Sequence, residues 1–542
     1  MTHLLSEILS VLPEAASQRL PDLPVTRVTD DSRSVDSASI FVAIKGENAD
    51  GHDFIDQVMG KGPAAILSTR VRPAEYQGVW LQVFDTRRAL GLLAAAFHDH
   101  PSRDLGVIGV TGTNGKTTVT HFLRHLLENS MFRCGMIGTV KVHNGKALLD
   151  ATHTTPGALQ LQALLKEMKE NQCKVVAMEV SSHGLEQSRV AGVDFQVGVF
   201  LNLTQDHLDY HGTMEEYFRA KRLLFQNMAN AGGGTAVINI DDPHGRKLAE
   251  EFGSRLKVLT YGYHELADLR ISAVRSQFYG QEFALTARGR DYLVRLPCVG
   301  EFNALNAIAA LGACAGLGLR IRDVVKHLTT LPQTPGRMEC VGGEASPVFI
   351  DYAHTPDALE KVCKTLKELN PAHLITVFGC GGDRDRTKRP LMAAAAAKYS
   401  DYTIITSDNP RSEDPQTIIE DALPGLEGRP HGVVLDRKMA IIKAIEMSRA
   451  RDIVLIAGKG HEDYQEINGK RVRFDDREAA RDAVRIFTKM RDQKRMEKHK
   501  EREAKRRAFP RPESDDQDRP DRQEPSDWKK ESRESGEFPP HN

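Results

Sequence analysis

The sequence predicts an α/β protein with doubly wound sheets and several domains. The chain has 542 residues, and at about 150 residues per domain this length indicates roughly three domains rather than one core. Buried-strand patterns alternate with helical segments in two successive blocks, residues 101–334 and 335–490, as they do in sheets with crossover helices. A hydrophobic content of 40% is that of an ordinary globular protein.

The apolar runs that predict strands are short and rich in β-branched side chains. Residues 1–100 mix such runs with polar turns, and residues 40–44 are typical of a strand. The two alternating blocks contain further strand patterns at residues 105–110, 175–178, 197–201, 348–350, 374–378, 402–406 and 453–457. We therefore predict domains over residues 1–100, 101–334 and 335–490, followed by a tail over 491–542.

The composition changes sharply at residue 491. Residues 494–507 are almost all charged, which predicts a solvated helix held by neighbouring opposite charges. Residues 509–542 contain almost nothing apolar, so they cannot repay the entropy of ordering, and we predict disorder there. A weak partner-binding segment is the alternative interpretation.

The overall charge and the cysteines exclude several classes of protein. A formal net charge of −1 gives no reason to expect nucleic acid or an anionic membrane as a partner. No apolar stretch approaches the length of a membrane span, and residues 1–7 lack the features of a signal peptide. The seven cysteines are scattered without a C-x-x-C pair, which is typical of reduced thiols. We expect a cytoplasmic, monomeric protein with no nucleic-acid or membrane partner.

Residues 112–118, Gly-Thr-Asn-Gly-Lys-Thr-Thr, lie between a predicted strand and a predicted helix. The glycines let backbone N–H groups approach phosphates, and the helix N-terminus favours negative charge. Lys116 can reach terminal phosphates and Thr117 can ligate Mg²⁺. Val110 replaces the first glycine of the common G-x-x-x-x-G-K-[ST] pattern, so the strand–turn–helix context carries the prediction. A plain glycine-rich connection would leave Lys116 unexplained.

Two polar residues follow other strands of the first block. Glu179 comes directly after the run that ends at Met178, and His207 lies in the polar segment 204–211. Ligands of open α/β sheets gather at the carboxyl ends of strands, so both residues can complete a metal site near Thr117. A lone histidine is more often structural, and both interpretations of His207 stay open.

Lys221 falls on the apolar face of a predicted helix. Thr213 and Glu216 have the spacing of a capping box that opens this helix, and positions 217, 221, 224, 225 and 228 share one face. An unpaired ammonium is costly there. Either the side chain extends its charged end to the surface, or the amine is neutralised or chemically modified near a metal.

Residues 408–415, Asp-Asn-Pro-Arg-Ser-Glu-Asp-Pro, form a stiff turn after a predicted strand. Asp408 and Arg411 lie three residues apart on it. Arginine binds a carboxylate through two parallel hydrogen bonds and aspartate accepts from an ammonium, so the pair suits the zwitterionic head of an amino acid. An ion pair that only stabilises the turn is the alternative.

Together, segments throughout residues 25–480 resemble the Mur ligase family of peptidoglycan synthesis. The segments that carry this resemblance are residues 112–118, 178–183, 206–212, 300–303, 335–339, 351–356, 381–384, 408–411 and 458–462. The family's short phosphate loop also accounts for the valine at position 110.

The resemblance implies a domain that grips a UDP end, a central P-loop-type ATPase domain and a C-terminal Rossmann-like domain. It implies ATP-dependent amide formation through an acyl phosphate, with ATP and Mg²⁺ as cofactors. The implied substrates are UDP-N-acetylmuramoyl-L-alanyl-D-glutamate and meso-2,6-diaminopimelate.

The resemblance also assigns roles to individual positions. Lys116, Lys221 and His207 match catalytic positions, and Lys221 matches a lysine that is carbamylated to hold a second Mg²⁺. The positions matching the metal environment are Thr117, Glu179, His207 and Lys221. Those matching the ATP site are Gly112, Thr113, Asn114, Gly115, Lys116, Thr117, Thr118, Asn303, Arg337 and Asp351. Those matching the UDP-sugar-peptide site are Asp30, Ser32, Glu47, Asn48, Ala49, His153, Thr154, Thr155, Ser181, Gln187 and Arg189. Those matching the diaminopimelate pocket are Arg384, Asp408, Asn409, Pro410, Arg411, Gly458 and Glu462.

This chain departs from the family pattern at two places. Some members carry His-Gln-Ala where this chain has Glu47-Asn48-Ala49, and Asn where it has His153. Backbone contacts, not the family's side-chain contacts, can therefore be carried over there.

The pocket residues also speak to the choice of amino acid. Two arginines and two carboxylates on loops at strand carboxyl ends suit a second zwitterionic head. Lysine lacks the distal carboxylate and would leave an arginine unpaired, and a site built for a polar group can reject the analogue lacking it by roughly 10⁴-fold.

Three rival functions are compatible with parts of the sequence. A sister ligase on the same scaffold, lysine-adding or folylpolyglutamate-forming, fits everything except the Asp408–Arg411 loop. A nucleotide-binding scaffold or motor-like NTPase needs the phosphate loop but leaves the paired acids and arginines unexplained. An interaction protein would rest on the tail alone.

Overall fold

The computed structural model describes residues 2–16, 18–46, 49–342 and 346–508. The chain divides into two compact units, Met1–Val484 and Arg485–Asn542. Within the first unit three separate groups of strands follow one another along the chain, each with its own helices. The boundaries predicted at residues 100, 334 and 490 stay predictions.

The amino-terminal region contains a four-stranded parallel sheet in the order β3-β4-β5-β6, with an antiparallel pair β1-β2 beside it. Its strands are β1 His3–Leu4, β2 Pro24–Val25, β3 Arg27–Thr29, β4 Ser39–Val42, β5 Ala65–Ser68 and β6 Trp80–Gln82, and its helices are α1 Leu5–Leu9, α2 Ile55–Met59 and α3 Thr86–Phe97.

The central region is built on an eleven-stranded sheet in the order β10-β9-β8-β11-β7-β12-β13-β14-β15-β16-β17. Its strands are β7 Gly106–Thr111, β8 Cys134–Ile137, β9 Lys141–His143, β10 Leu148–Asp150, β11 Val175–Glu179, β12 Phe195–Phe200, β13 Thr235–Asn239, β14 Lys257–Gly262, β15 Leu269–Gln277, β16 Gly280–Ala287 and β17 Arg290–Leu296. Its helices are α4 Lys116–Asn129, α5 Ala158–Glu170, α6 Ser182–Glu186, α7 Leu208–His211, α8 Met214–Asn230, α9 Pro243–Phe252, α10 Glu301–Gly316 and α11 Ile321–Val324. The seven neighbouring strands β8-β11-β7-β12-β13-β14-β15 run parallel, and separate apolar cores cover the two faces of the sheet.

The C-terminal region has a six-stranded sheet in the order β18-β19-β23-β20-β21-β22, parallel except for β18. Its strands are β18 Glu339–Cys340, β19 Val348–Asp351, β20 Leu374–Phe378, β21 Tyr402–Ile405, β22 His431–Val433 and β23 Ile453–Ala457, and β24 Tyr464–Ile467 pairs with β25 Lys470–Arg473 as a separate hairpin. Its helices are α12 Pro356–Glu368, α13 Lys388–Tyr399, α14 Pro415–Ala422, α15 Arg437–Met447 and α16 Asp476–Ala508. Short 3₁₀ helices span Pro13–Ala15, Ser32–Ser34, Gly51–Phe54, Pro101–Asp104, Val325–Thr330 and Leu423–Leu426.

These sheets confirm the predicted α/β class. Parallel strands joined by helices on both faces put every strand-to-helix loop of a sheet along one edge, and the predicted site residues lie in such loops. The charged helix predicted over residues 494–507 lies within α16. The predicted disorder of residues 509–542 falls outside the described residues. No helix among the described residues has both the length and the apolar character to span a membrane.

Helix α8 shows how local sequence sets the site. The Thr213 side chain accepts a hydrogen bond from the Glu216 backbone N–H at 3.2 Å, as the capping prediction requires. The Glu216 carboxylate forms an ion pair with Arg219 instead of returning to the helix start. The predicted face at positions 217, 221, 224, 225 and 228 is buried, so Lys221 points inward and not to solvent.

Candidate active site

The phosphate loop joins β7 to α4 and depends on two glycines. Gly115 has φ +93°, and a Cβ there would lie 2.4 Å from Oδ1 of Asn306 on α10. A Cβ on Gly112 would lie 2.8 Å from the Leu201 side chain. Larger residues are therefore excluded, and the loop backbone can approach a ligand closely.

Lys116 is folded back onto this loop. Its Nζ donates to the carbonyl oxygens of Gly112 and Thr113, both at 2.9 Å. Burial lowers its pKa, while Glu179 and Asp206 act in the opposite direction. The loop itself is tied to the neighbouring strand end, because Asn114 N–H donates to Asn202 Oδ1 at 2.9 Å and Asn202 Nδ2 returns a hydrogen bond at 3.1 Å.

Glu179, at the end of β11, is 1% exposed and lies against the start of α4. Oε2 accepts from the hydroxyls of Thr117 and Thr139, both at 3.1 Å, and Oε1 accepts from the Thr139 backbone N–H at 2.9 Å. The described partners of this buried carboxylate are thus neutral donors. The predicted pair Thr117 and Glu179 is brought together, and Thr139 is a third member.

Lys221 is also buried, with 1% of its surface exposed. Its Nζ donates to the same Gly112 carbonyl at 2.9 Å and lies 4.4 Å from the centroid of the Tyr217 ring. Burial lowers its pKa well below the usual value, and the charge of Lys116 adds to this. The structure therefore favours a neutral amine and excludes the surface-reaching alternative.

His207 precedes α7 with φ +52°, and its ring lies 5.0 Å from that of His183. Burial lowers its pKa, which favours the neutral ring that can accept or ligate. In the part of the chain that the structure describes, no three His, Cys, Asp or Glu side chains converge as a metal site. A cation here would depend on a mixed set that includes hydroxyl groups.

Several residues predicted for the UDP-sugar-peptide site form one cluster beside Glu179. Thr155 Oγ1 donates to the Glu179 carbonyl at 2.9 Å and to Ser181 Oγ at 3.1 Å. Arg189 donates to the Thr155 carbonyl at 2.9 Å and, through Nη2, to Gln187 Oε1 at 2.7 Å.

Other predicted positions lie around or apart from that cluster. The Thr154 hydroxyl is 3.0 Å from that of Thr139, and His153 is exposed beside it. Asp30 and Ala49 lie in loops of the amino-terminal region, and Ser32 begins the 3₁₀ helix Ser32–Ser34. In the described residues none of these three hydrogen-bonds to the cluster. Glu47 and Asn48 lie outside the described residues.

Two of the positions predicted near adenine and ribose, Asn303 and Asp351, hydrogen-bond to backbone groups of other residues. Asn303 Nδ2 donates to the Val299 carbonyl at 2.8 Å. The buried Asp351 carboxylate accepts from two backbone N–H groups at 2.8 Å, and burial raises its pKa. Arg337 stacks on Tyr352, with Cζ 4.6 Å from the ring centroid.

A cavity of about 300 Å³ lies between loops of the central and C-terminal sheets. Its walls include Asp206, His207 and Asp209 from the centre, and all of the predicted amino-acid pocket except Pro410. Pro410 presents its carbonyl to Gly382, where a Cβ would lie 1.9 Å from that oxygen. The structure thus places the predicted pocket and His207 on one cavity.

Each of the two acids of this pocket lies next to a buried cation. Asp408 lies 3.6 Å from Nη1 of Arg437, which is fully buried and pairs with Asp476 at 2.7 Å. Asn409 Nδ2 and the buried Lys459 ammonium both bind Glu462 Oε2, at 2.9 and 3.1 Å.

The two pocket arginines differ in exposure. Arg411 is largely buried, and its Nη1 donates to the Gly382 carbonyl at 2.6 Å. Arg384 is exposed at the mouth.

Comparison with known proteins decides the family. The model of the Mur ligase middle domain matches residues 110–314, that of the glutamate ligase domain matches 336–460, and that of the family's catalytic domain matches 24–98. A UDP-N-acetylmuramoyl-L-alanyl-D-glutamate--2,6-diaminopimelate ligase from Clostridium acetobutylicum is 42% identical over 84% of this chain and 94% of its own length. The chain belongs to the Mur ligase family.

Further relatives of this Mur ligase agree along most of the chain. The ligase of the same name from Chromobacterium violaceum is 44% identical over 89% of this chain and 99% of its own length. A solved structure of a diaminopimelate ligase aligns with a TM-score of 0.68 at 36% identity, covering 90% of this chain and all of that chain. The three-domain architecture predicted from the resemblance is that of the family.

The structure adds residues to this Mur ligase site that the sequence did not single out. Thr139, Asn202, Arg437 and Asp476 carry no local pattern, because each acts through partners far away along the chain. Lys459 lies inside the segment 458–462 that carried the resemblance, and its burial is the new information.

Proposed function

We propose that this Mur ligase uses ATP to join meso-diaminopimelate to the D-glutamate of UDP-N-acetylmuramoyl-L-alanyl-D-glutamate, in the synthesis of peptidoglycan precursors. The observation that carries the proposal is the cavity that combines His207 with Asp408, Arg411 and Glu462. Relatives at 42% and 44% identity that carry the name of this ligase support it.

The reaction has two steps. A glutamate carboxylate oxygen attacks the γ-phosphorus of ATP, giving an acyl phosphate and ADP. The amine of the amino acid then attacks the acyl carbon, phosphate leaves, and the nitrogen loses a proton. The loop N–H groups and Lys116 bind the phosphates and align the γ-phosphate with the incoming oxygen.

The residues present fit Mg²⁺. Thr117 and Glu179 supply the oxygen atoms that this ion prefers, and Glu179 is a buried carboxylate with only neutral donors described around it. Bound Mg²⁺ supplies positive charge that stabilises the transferring phosphoryl group. Thr117, Glu179, His207 and Lys221 would hold the metal ions.

Lys221 would serve as a carbamate. A neutral buried amine is the form that attacks CO₂: an N–C bond forms, one proton leaves, and the product is an anion. That product would turn the costly ammonium position into an oxygen ligand.

The pocket charges suit an amino acid with a distal zwitterionic head. Arg411, with Arg384 at the mouth, would bind the distal carboxylate, and Asp408 and Glu462 would bind the distal ammonium. The cluster of Thr155, Ser181, Gln187 and Arg189, together with Thr154, would hold the peptide end of the acceptor. The UDP-sugar part of the acceptor would bind to the remaining predicted positions, which are Asp30, Ser32, Glu47, Asn48, Ala49 and the backbone near His153.

The test is phosphate release with ATP, Mg²⁺ and the muramoyl dipeptide, comparing meso-diaminopimelate with L-lysine. We expect release with diaminopimelate only. Release with lysine would keep the ligase and overturn the assignment of Asp408 and Arg411. ADP formation without acceptor and amino acid would instead favour a plain NTPase.

A further inference from the structure

The hairpin β24–β25 is separate from the C-terminal sheet and contributes little to the core. Its outer strand, Lys470–Arg473, is exposed along its whole length, and the inner strand Tyr464–Ile467 is partly exposed. An element with so little buried apolar surface needs another reason for its place. The inner strand lies directly against residues 408–411.

Two residues of the hairpin hold the first half of that loop. Gln465 Nε2 donates to the Asp408 carbonyl at 2.8 Å. The Glu466 backbone N–H donates to Asn409 Oδ1 at 3.0 Å, the same oxygen that accepts from Lys459. The first contact holds the backbone of Asp408, and the second holds the side-chain amide of Asn409. Together they fix the direction of the Asp408 carboxylate.

The hairpin also fixes Arg411. This residue has φ +53°, a left-handed conformation that costs free energy for any residue with a Cβ. Its N–H donates to the Glu466 carbonyl at 2.9 Å, and its carbonyl accepts from the Asn468 N–H at 2.7 Å. The strained backbone is therefore held from both sides by the hairpin, and the Arg411 guanidinium is aimed toward Gly382 at the cavity.

We propose that the hairpin 464–473 sets amino-acid specificity by positioning the Asp408–Arg411 loop, with Gln465 as its main positioning side chain. The inference rests on the proposed function. Gln465 touches no reacting atom in this scheme. It keeps the acid and the arginine at the separation that a distal zwitterionic head requires.

Gln465→Glu tests this inference with a change of nearly equal shape. The new carboxylate cannot donate to the Asp408 carbonyl and repels it. We expect the KM for diaminopimelate to rise about tenfold, the size expected when a hydrogen bond is lost and a buried acceptor is left unpaired. The KM for ATP should stay unchanged, because the phosphate loop makes no contact with Gln465 in this scheme. The preference for diaminopimelate over lysine should fall, because lysine does not use the Arg411 contact.

Gln82→Glu is the matched control. Gln82 makes the same kind of bond, from Nε2 to the Thr69 carbonyl at 3.2 Å, in the amino-terminal sheet. This variant should keep the wild-type KM for diaminopimelate, the wild-type KM for ATP and the wild-type preference for diaminopimelate over lysine. Gln465→Ala repeats the test without added charge, should Gln465→Glu fold poorly.

The outcomes separate the inference from the function. Wild-type protein that gives no phosphate release with diaminopimelate would overturn the proposed function itself. An active wild type, with Gln465 variants that keep its KM for diaminopimelate or raise both KM values equally, would overturn the positioning role alone.

Discussion

Lys116 and Lys221 share one acceptor, the carbonyl oxygen of Gly112. Two ammonium groups at one oxygen repel each other, and burial disfavours charge on both. Burial, and next the charge of Lys116, lower the pKa of Lys221 well below its usual value, which favours the neutral amine. The fold thus holds a reactive amine beside the phosphate loop.

Lys221→Ala should reduce ligase activity by more than about a hundredfold, since stabilising charge at the phosphoryl group is worth several kcal/mol. Phosphate release at saturating substrates measures the effect. Lys247→Ala, an exposed lysine on α9, should behave as wild type. Near-normal turnover of Lys221→Ala without added bicarbonate would contradict the metal-site role.

Lys221→Met should stabilise the protein while inactivating it. In the unfolded chain the pKa of lysine is about 10.4, and in the folded chain the pKa of Lys221 is lowered. Between those two values the unfolded chain binds the extra proton, so the free energy of unfolding of the wild type rises with pH.

Denaturant unfolding in CO₂-free buffer checks this sign. The free energy of unfolding of Lys221→Met should exceed that of the wild type at pH 7, and the difference should become smaller toward pH 10. Lys247→Met should show no gap at either pH. Equal stability of Lys221→Met and wild type at both pH values would show that Lys221 is charged in the folded state.

Arg411→Ala should raise the KM for diaminopimelate about 10- to 100-fold, the range for a lost hydrogen bond to a charged group. Arg384→Ala should have a smaller effect, because its exposed guanidinium is already solvated. The exposed Arg429→Ala serves as the control. Equal rises in the KM values for ATP and diaminopimelate would count against the pocket.

At the scale of elements, the loops after parallel strands carry the site. Helix α16 contributes to it only through its first turns. The buried side chains described in α16 are Asp476, Ala479, Ala480 and Ala483, and Asp476 reaches the pocket through Arg437. Met490 and Met496 are 44% and 62% exposed. The first turns of α16 are thus buried in the protein and support the pocket, whereas the methionines further along the helix are exposed.

Deletion of residues 491–542 should leave kcat and all KM values within about twofold of wild type, because surface changes away from a site have small effects. Steady-state kinetics of the shortened chain measures this. Substitution Asp476→Asn, which weakens the buried pair with Arg437, should by contrast lower the unfolding temperature. Lost activity in the deleted protein would assign the tail a part in the reaction.

At the scale of the whole molecule, the sequence predicted what is local and missed what is long-range. The phosphate loop, the Lys221 face and the Asp408–Arg411 turn are each readable within a few residues. Thr139 meets Glu179 across 40 positions and Gln465 meets Asp408 across 57. Side chains brought together only by strand order leave no spacing to read in one sequence.

The folded-back position of Lys116 has a consequence for the binding of nucleotide. With two hydrogen bonds to its own loop, the lysine occupies an internal resting contact that must break before it reaches a phosphate. Nucleotide binding then exchanges these two internal hydrogen bonds for contacts with phosphate oxygens, so the affinity for ATP reflects the difference between two sets of bonds and not the full strength of the new one.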